Sequence, residues 1–297
     1  MAKIVVTSDQ HLGYENSNVK DFINFLDYIS KRDDIEALIL LGDLIDMWRR
    51  DASGLFLEFL HIVKQLLNLK DSKNVQTYII AGNHDYHLLK LLDAAYQFNF
   101  YPEIPDPSLS AHSSPSSALS ALTSPSTDGI KYKFRHGWEF DLAQHPIIME
   151  AMCHNMSDEA GHARSSIYHI LEITKDYFGK ELKGIIDYHD AEGKNGYVGN
   201  LLLPPEERLK PYVGDVEKKA YTSVNEEEVL IFGHTHRPFV SDDIKLVNTG
   251  SWVSDAEVHN TFVELEGKEI KLFQFKDQQI ITEIKSRVSL SSTSASS

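Results

Sequence analysis

Residues 37–48 read ALILLGDLIDMW. Ala37 to Leu41 are apolar without interruption, which predicts a strand buried on both faces. Gly42 and Asp43 end the run at once, and Asp46 follows three residues later. Two carboxylates therefore sit just beyond the C-terminal end of a buried strand. In open α/β sheets that edge is where ligands bind.

The same arrangement recurs outward from this stretch. The β-branched run Ile4 to Thr7 is followed by Asp9 and His11. Val75 to Ala81 is followed by Asn83, His84 and Asp85 in GNHD. Lys131 to Arg135 alternates like a strand and leads to His136 in HGW. Val229 to Phe232 leads to His234 and His236 in GHTH. Between the early strands, Val19 to Ser30 sets Phe22, Ile23, Phe25, Leu26 and Ile29 on one helical face. Leu55 to Leu69 and Tyr86 to Phe98 also read as helices. Strands alternating with helices predict a largely parallel α/β sheet. Further strands are expected at Ile244 to Val247, His259 to Leu265 and Glu269 to Phe275. The turn Glu266-Gly267-Lys268 joins the last two as a hairpin.

Each polar set alone is a weak signal. Gly, Asn and Asp all favour turns, so GNHD by itself reads as a loop. An isolated Asp-X-His or His-X-His is more often solvated than metal-bound. Ordered recurrence after successive apolar strands is what favours a shared site over scattered loops.

Composition narrows the chemistry. The chain has 297 residues and is 42% hydrophobic, enough for a full core. Its formal net charge of −15 argues against binding along a nucleic-acid backbone, which needs Lys and Arg. A small phosphate ester remains compatible, because bound cations would supply local positive charge. Cys153 is the only cysteine among 297 residues, so a thiolate cluster is excluded. The 14 histidines leave imidazole, carboxylate and amide as ligands. That set suits divalent transition metals, with manganese the first expectation and iron, zinc, nickel or cobalt as alternatives. No stretch reads as a signal peptide or a transmembrane span, which predicts a cytoplasmic protein.

The expected organisation is one domain over residues 1–285 with two insertions. Residues 106–128 are rich in Ser, Pro and Ala and read as a flexible surface loop, with a lid or a modification site as the alternative to a loop without a role. Residues from about 144 to 221 read as a helical cap, and 286–297 as a disordered tail.

The ordered motifs D-x-H, G-D-x-x-D, G-N-H-D, a lone H and G-H-x-H resemble those of the calcineurin-like metallophosphoesterase superfamily. Here they stand as Asp9-Gln10-His11, Gly42 to Asp46, Gly82 to Asp85, His136 and Gly233 to His236. The resemblance implies a four-layer α/β/β/α sandwich with two packed sheets. It implies a dinuclear centre with Asp9, His11 and His236 on one metal and Asn83, His136 and His234 on the other. Asp43 would bridge them. His84 would face the scissile phosphate as a catalytic group, and Asp85 would orient His84. For Asp46, capping of the next segment and support of the site are equal readings.

HLG after the first ligand, GDLID followed by MW, HGWEFD and NTGSW most resemble the UDP-2,3-diacylglucosamine pyrophosphatase-like branch. The chain departs from the branch's dedicated lipid A enzymes at His84, where they carry Arg, so the substrate stays open. The cap residues Asn155, Arg164, Tyr168, His169 and Lys175 are substrate-contact candidates whose bland reading is a solvated helix face. Trp48 and Trp252 would line the pocket or serve as packing.

The reading is thus a metal-dependent phosphoesterase. A metal-bridging hydroxide would attack in line at a phosphodiester, pyrophosphate or phosphomonoester bond of a nucleotide-sugar or lipid-linked substrate. Peripheral membrane contact and oligomeric state stay open. The alternatives are a manganese-dependent nuclease and a non-catalytic scaffold of the same fold.

Overall fold

The computed structural model describes residues 3–50, 52–86, 88, 99–101, 131–141, 215–276, 279–284 and 287–288. The expected Tyr86 to Phe98 helix lies almost wholly outside them. So do the Ser-rich insertion, the cap up to residue 214 and most of the tail.

In chain order the elements are β1 (Lys3–Thr7), α1 (Val19–Ser30), β2 (Ile35–Leu41), α2 (Ala52–Glu58), α3 (Leu60–Lys73), β3 (Gln76–Ile80) and β4 (Asn99–Tyr101). They continue with β5 (Lys131–Phe134), α4 (Trp138–Asp141), α5 (Asp215–Thr222), β6 (Glu228–Phe232), β7 (Phe239–Ser241) and β8 (Leu246–Asn248). The last are β9 (Thr261–Glu266), β10 (Glu269–Lys276), β11 (Gln279–Glu283) and β12 (Arg287–Val288).

The strands form two sheets. The seven-stranded sheet has the order β11-β10-β9-β1-β2-β3-β4, and the five-stranded sheet β12-β7-β8-β6-β5. Strands β1 to β4 are mutually parallel, as expected. Their sheet is mixed overall, because β9 runs antiparallel to β1 and carries β10 and β11 with it. The β9–β10 hairpin pairs Glu266 with Glu269 across Gly267-Lys268. Gly267, at φ 60°, supplies the left-handed conformation at the first loop position.

Period-two alternation sorts the side chains into layers. Val6, Ala37, Ile39 and Leu41 of the first sheet pack with Val229, Ile231 and Val247 of the second, forming the core between sheets. Val5, Leu38 and Leu40 face the other way, against Phe22, Phe25, Ile62 and Leu66 of α1 and α3. Leu230, Phe232 and Leu246 turn outward onto Val216 and Ala220 of α5. The result is the four-layer α/β/β/α sandwich.

Helix α1 buries Phe22, Phe25, Leu26 and Ile29, the i, i+3, i+4, i+7 stripe of an amphipathic helix. Asn18 precedes it but makes no side-chain cap; its amide reaches Asn260 at 2.8 Å, tying the helix start to β9.

Three local expectations change. The single helix over Leu55 to Leu69 is two, α2 and α3, meeting at Phe59 (φ −98°, ψ 17°). Phe59 N still donates to Leu55 O at 2.9 Å, so the chain swings at one residue rather than unravelling. The turn keeps Leu55 and Phe59 buried and leaves Phe56, Leu57 and Leu60 exposed. Strand β7 was not expected, because three residues after a proline carry no readable period. Arg287–Val288 lie in the expected disordered tail but pair with Val240 and Ser241 of β7.

Candidate metal centre

The site forms where the C-terminal ends of β1, β2 and β3 meet those of β5 and β6. The loops after β1 and β2 stay laced together beyond their strands. His11 N donates to Asp43 O at 2.8 Å, Leu12 N to Leu44 O at 2.9 Å, and Asp46 N to Leu12 O at 2.9 Å. Gly233 N donates to His136 O at 2.9 Å, which locks the two loops of the second sheet.

The backbone is strained where the polar side chains gather. Asp9 (φ 56°), His11 (φ 48°), Asp43 (φ 52°), His234 (φ 67°) and His236 (φ 57°) all sit in the left-handed region. Each costs about 1–2 kcal/mol relative to an ordinary conformation. Strain of this kind persists where the surroundings over-determine it and clusters at functional sites. Crowding adds a demand at Gly42, at φ 84°. A Cβ there would lie 2.6 Å from His136 Nδ1 and 2.7 Å from Gly82 N. Only glycine lets the imidazole come so near the β2 terminus.

Six of the seven expected metal ligands converge by their side-chain donor atoms. His11 Nε2 lies 3.2 Å from His236 Nε2 and 3.6 Å from Asp43 Oδ2. His236 Nε2 lies 3.3 Å from Asp9 Oδ1. His136 Nε2 lies 3.2 Å from both Asp43 Oδ2 and Asn83 Oδ1. His136 Nδ1 points the other way, to Leu41 O at 2.6 Å. That contact fixes a donor at Nδ1, so it is Nε2, once deprotonated, that would offer a lone pair toward the centre. His234, the seventh, is placed with them: its backbone N donates to Asp9 Oδ2 at 2.9 Å and its ring lies 5.2 Å from that of His136.

The donor set fits divalent metal binding. Asp9, His11 and His236 offer ligand atoms within 4.8 Å of one another, and so do Asp9, Asp43 and His136. His11, Asp43 and His84 meet the same spacing. Asp9 Oδ1 is buried and accepts no hydrogen bond. A buried carboxylate oxygen without a donor costs several kcal/mol unless a cation meets it.

Charge points the same way. Asp9, Asp43, Asp46 and Asp85 are all buried. Burial works to raise Asp9, but His136 and His236 outweigh it and hold the carboxyl well below its ordinary range. Asp43 is likewise lowered, burial being overcome by His136 and His84. Burial disfavours charge on His11, yet Asp46 and Asp9 push it up to about 10. In the same way Asp43 and Asp9 push the buried His136 up to about 10. Without a metal, protons on His11 and His136 would offset part of the carboxylate charge. Metal binding would displace those protons.

Asp46 is the hub behind the ligands. Its Oδ2 receives His11 Nδ1 at 3.1 Å and its Oδ1 receives His84 Nδ1 at 3.0 Å. Arg49 also bonds Oδ2. Of the two equal readings for Asp46, the contacts are those of site support. The expectation that Asp85 orients His84 is corrected here. Asp85 accepts Gly82 N at 2.6 Å, Leu44 N at 2.8 Å and Asp43 N at 3.3 Å. Its oxygens are spent on backbone, because it lies under the two loops rather than beside the imidazole. Burial and the Asp43 carboxylate push Asp85 up to about 7, against the Gly82 amide. Asp85→Ala would leave at least two well-placed buried amides without acceptors, each worth about 1–3 kcal/mol. Denaturant unfolding is therefore expected to show a loss of at least about 2 kcal/mol; a loss under about 0.5 kcal/mol would remove this role.

Trp48 lies flat on His84, ring centroids 3.9 Å apart and 23° between planes. Trp252 is fully buried and donates through Nε1 to Thr7 Oγ1 at 2.6 Å, so of its two readings it takes packing. Asn155, Arg164, Tyr168, His169 and Lys175 lie outside the described residues. Sequence reasoning missed Ser8, whose hydroxyl bonds Asp9 Oδ2 and Gly250 O. It also missed Arg49 and Tyr14. A serine beside an Asp-X-His carries no spacing signal, and an arginine–tyrosine pair 35 residues apart carries no local one.

A model of the calcineurin-like phosphoesterase family matches residues 2–238. The chain belongs to that family. Calcineurin-like phosphoesterases are metal-dependent hydrolases of phosphoric esters, and this chain is an enzyme of that class. Among curated relatives, UDP-2,3-diacylglucosamine hydrolase of Shewanella sp. (strain W3-18-1) is 24% identical over 285 residues, 91% of this chain and 97% of that protein. The protein of that name from Shewanella baltica (strain OS185) is 24% identical over 282 residues, 90% and 96% of the two chains. The one from Shewanella sp. (strain MR-4) is 34% identical over 99 residues, 32% of this chain and 38% of that protein. Among the described residues, no helix of this phosphoesterase is long and apolar enough to cross a membrane.

Proposed function

We propose that this phosphoesterase hydrolyses a pyrophosphate or phosphodiester bond of a nucleotide-sugar or lipid-linked substrate, with two manganese ions as its working metals. Asp9, His11 and His236 would hold one cation, Asn83, His136 and His234 the other, and Asp43 would bridge them. The observation that carries this reading is the buried, undonated Asp9 Oδ1 facing His236 Nε2 at 3.3 Å. When bound, such a pair neutralises phosphate oxygens and acidifies water.

The chain's own residues supply the rest. His84 Nδ1 is engaged by Asp46 at 3.0 Å, which leaves Nε2 as the face offered to substrate. Burial holds His84 below the ordinary imidazole pKa, against the pull of Asp43 and Asp46. With Nδ1–H given to Asp46, Nε2 carries a proton only in the imidazolium, and burial makes that imidazolium a ready donor to a departing oxygen. Trp48, stacked on the ring, fixes its plane. The relatives' name supports a lipid-linked nucleotide sugar as the substrate class, and His84 within GNHD supports hydrolysis.

A panel run with added manganese tests this. It comprises UDP-N-acetylglucosamine, cyclic AMP, bis-p-nitrophenyl phosphate, and single- and double-stranded DNA. Chelator-sensitive turnover is expected, with the nucleotide sugar preferred over DNA by kcat/KM. DNA as the preferred substrate would instead favour the nuclease. Absence of turnover on every member would refute the proposed substrate class.

A further inference from the structure

Arg49 bonds Asp46, the hub of the site, beside His11 and His84. It is about half exposed, whereas Asp46, which it bonds, is fully buried. Its guanidinium lies over the Tyr14 ring, 4.1 Å from the centroid. Tyr14 is itself fixed: its hydroxyl bonds Asp255, and Asn16 Nδ2 donates to it at 3.0 Å. The loop carrying Tyr14 and Asn16 is pinned to the loop carrying Asp255 by Ser254 N donating to Asn16 O at 2.8 Å. Arg49 is thus a held cation, with its guanidinium over a ring and one nitrogen on a carboxylate.

A guanidinium has five N–H donors in a fixed fork. Asp46 is its sole hydrogen-bond partner among the described residues, so donors remain on its exposed side. The chain has 29 Lys and Arg against 44 Asp and Glu. In so acidic a protein, a fixed positive group at the site's rim is where an anion is drawn. The position matters too. Asp46 stands between Arg49 and both His11 and His84, so Arg49 is offset from the cation ligands by one carboxylate. That offset suits it to a group beside the one held among those ligands.

We propose that Arg49, laid on Tyr14 and anchored by Asp46 at the rim of the metal centre, binds the second phosphoryl group of the substrate and so selects pyrophosphates over single-phosphate diesters. The inference rests on the hydrolase reading above. Arg49 adds specificity to that reaction and takes no part in bond breaking.

The test compares wild type, Arg49→Ala and Arg49→Lys as manganese-loaded full-length protein. Kinetics are measured on UDP-N-acetylglucosamine and on bis-p-nitrophenyl phosphate. Binding of methylenediphosphonate, which cannot be hydrolysed at its P–C–P bridge, is measured by calorimetry. For Arg49→Ala, the ratio of kcat/KM between the two substrates is expected to fall about 10- to 100-fold, chiefly through KM, the loss of a charged hydrogen bond. Methylenediphosphonate should weaken by a similar factor with manganese content unchanged, and Arg49→Lys should recover part of both. An unchanged ratio, or both substrates falling in equal proportion, would overturn the proposal. So would loss of manganese, since Arg49 would then act only through Asp46. Wild type that hydrolyses neither substrate sinks the hydrolase reading; the calorimetry then decides Arg49 alone, and equal affinity in Arg49→Ala refutes it.

Discussion

Asp43→Asn is expected to empty both cation positions together. Asp43 Oδ2 lies 3.6 Å from His11 Nε2 and 3.2 Å from His136 Nε2, so one carboxylate oxygen faces donors of both halves. Its other oxygen receives His84 N at 2.8 Å and is fixed in direction. An amide offers one oxygen and no charge, and it cannot bridge two cations while also accepting His84 N. Loss of two Lewis acids removes several kcal/mol of transition-state stabilisation, on the order of a thousandfold or more in kcat/KM. Elemental analysis of the purified variant checks this directly. Retention of both ions would refute the bridge, and loss of only one would assign Asp43 to a single half.

His84→Ala should separate chemistry from metal binding. The imidazole hydrogen-bonds Asp46 and stacks on Trp48, and the Asp43 and His136 cluster persists without it. Metal content is therefore expected to stay at the wild-type value. General-acid assistance contributes about 10²–10⁴-fold, and that much kcat should be lost on substrates with an alkoxide or phosphate leaving group. With p-nitrophenolate as the leaving group, which departs without a proton, the loss should be distinctly smaller. Equal losses on both leaving groups would assign His84 to phosphate charge stabilisation rather than proton transfer. Unchanged turnover at normal metal content would remove it from the chemistry.

Much of the architecture was readable because burial imposes periodicity. Val5 and Val6, Leu38 and Ile39, and Leu230 and Ile231 each divide between the helix-facing and sheet-facing cores, and apolar runs of that kind mark two-faced strands. The polar sets were readable because each follows such a run without delay. What stayed hidden depends on contacts distant in sequence. Asp46 could not be ranked above a cap, since only the folded loops bring His11 and His84 to its two oxygens. Asp85 seemed a partner for its neighbour His84, yet the crossing of the β2 and β3 loops gives it backbone amides. The swing at Phe59 comes from which faces are buried, and a helical period alone does not show it. Strand β12 adds only two pairs to β7, too few to leave a pattern among the serines that follow.

The most direct measurement is manganese stoichiometry on chelator-stripped, reconstituted protein, paired with the same titration of Asp9→Ala and His136→Ala. Two ions per chain are expected in the wild type, with at least one lost in each variant, since Asp9 would hold one cation and His136 the other. Saturation below one ion per chain, or full retention in both variants, would contradict the account, because the buried carboxylates would then be neutralised by imidazolium protons alone.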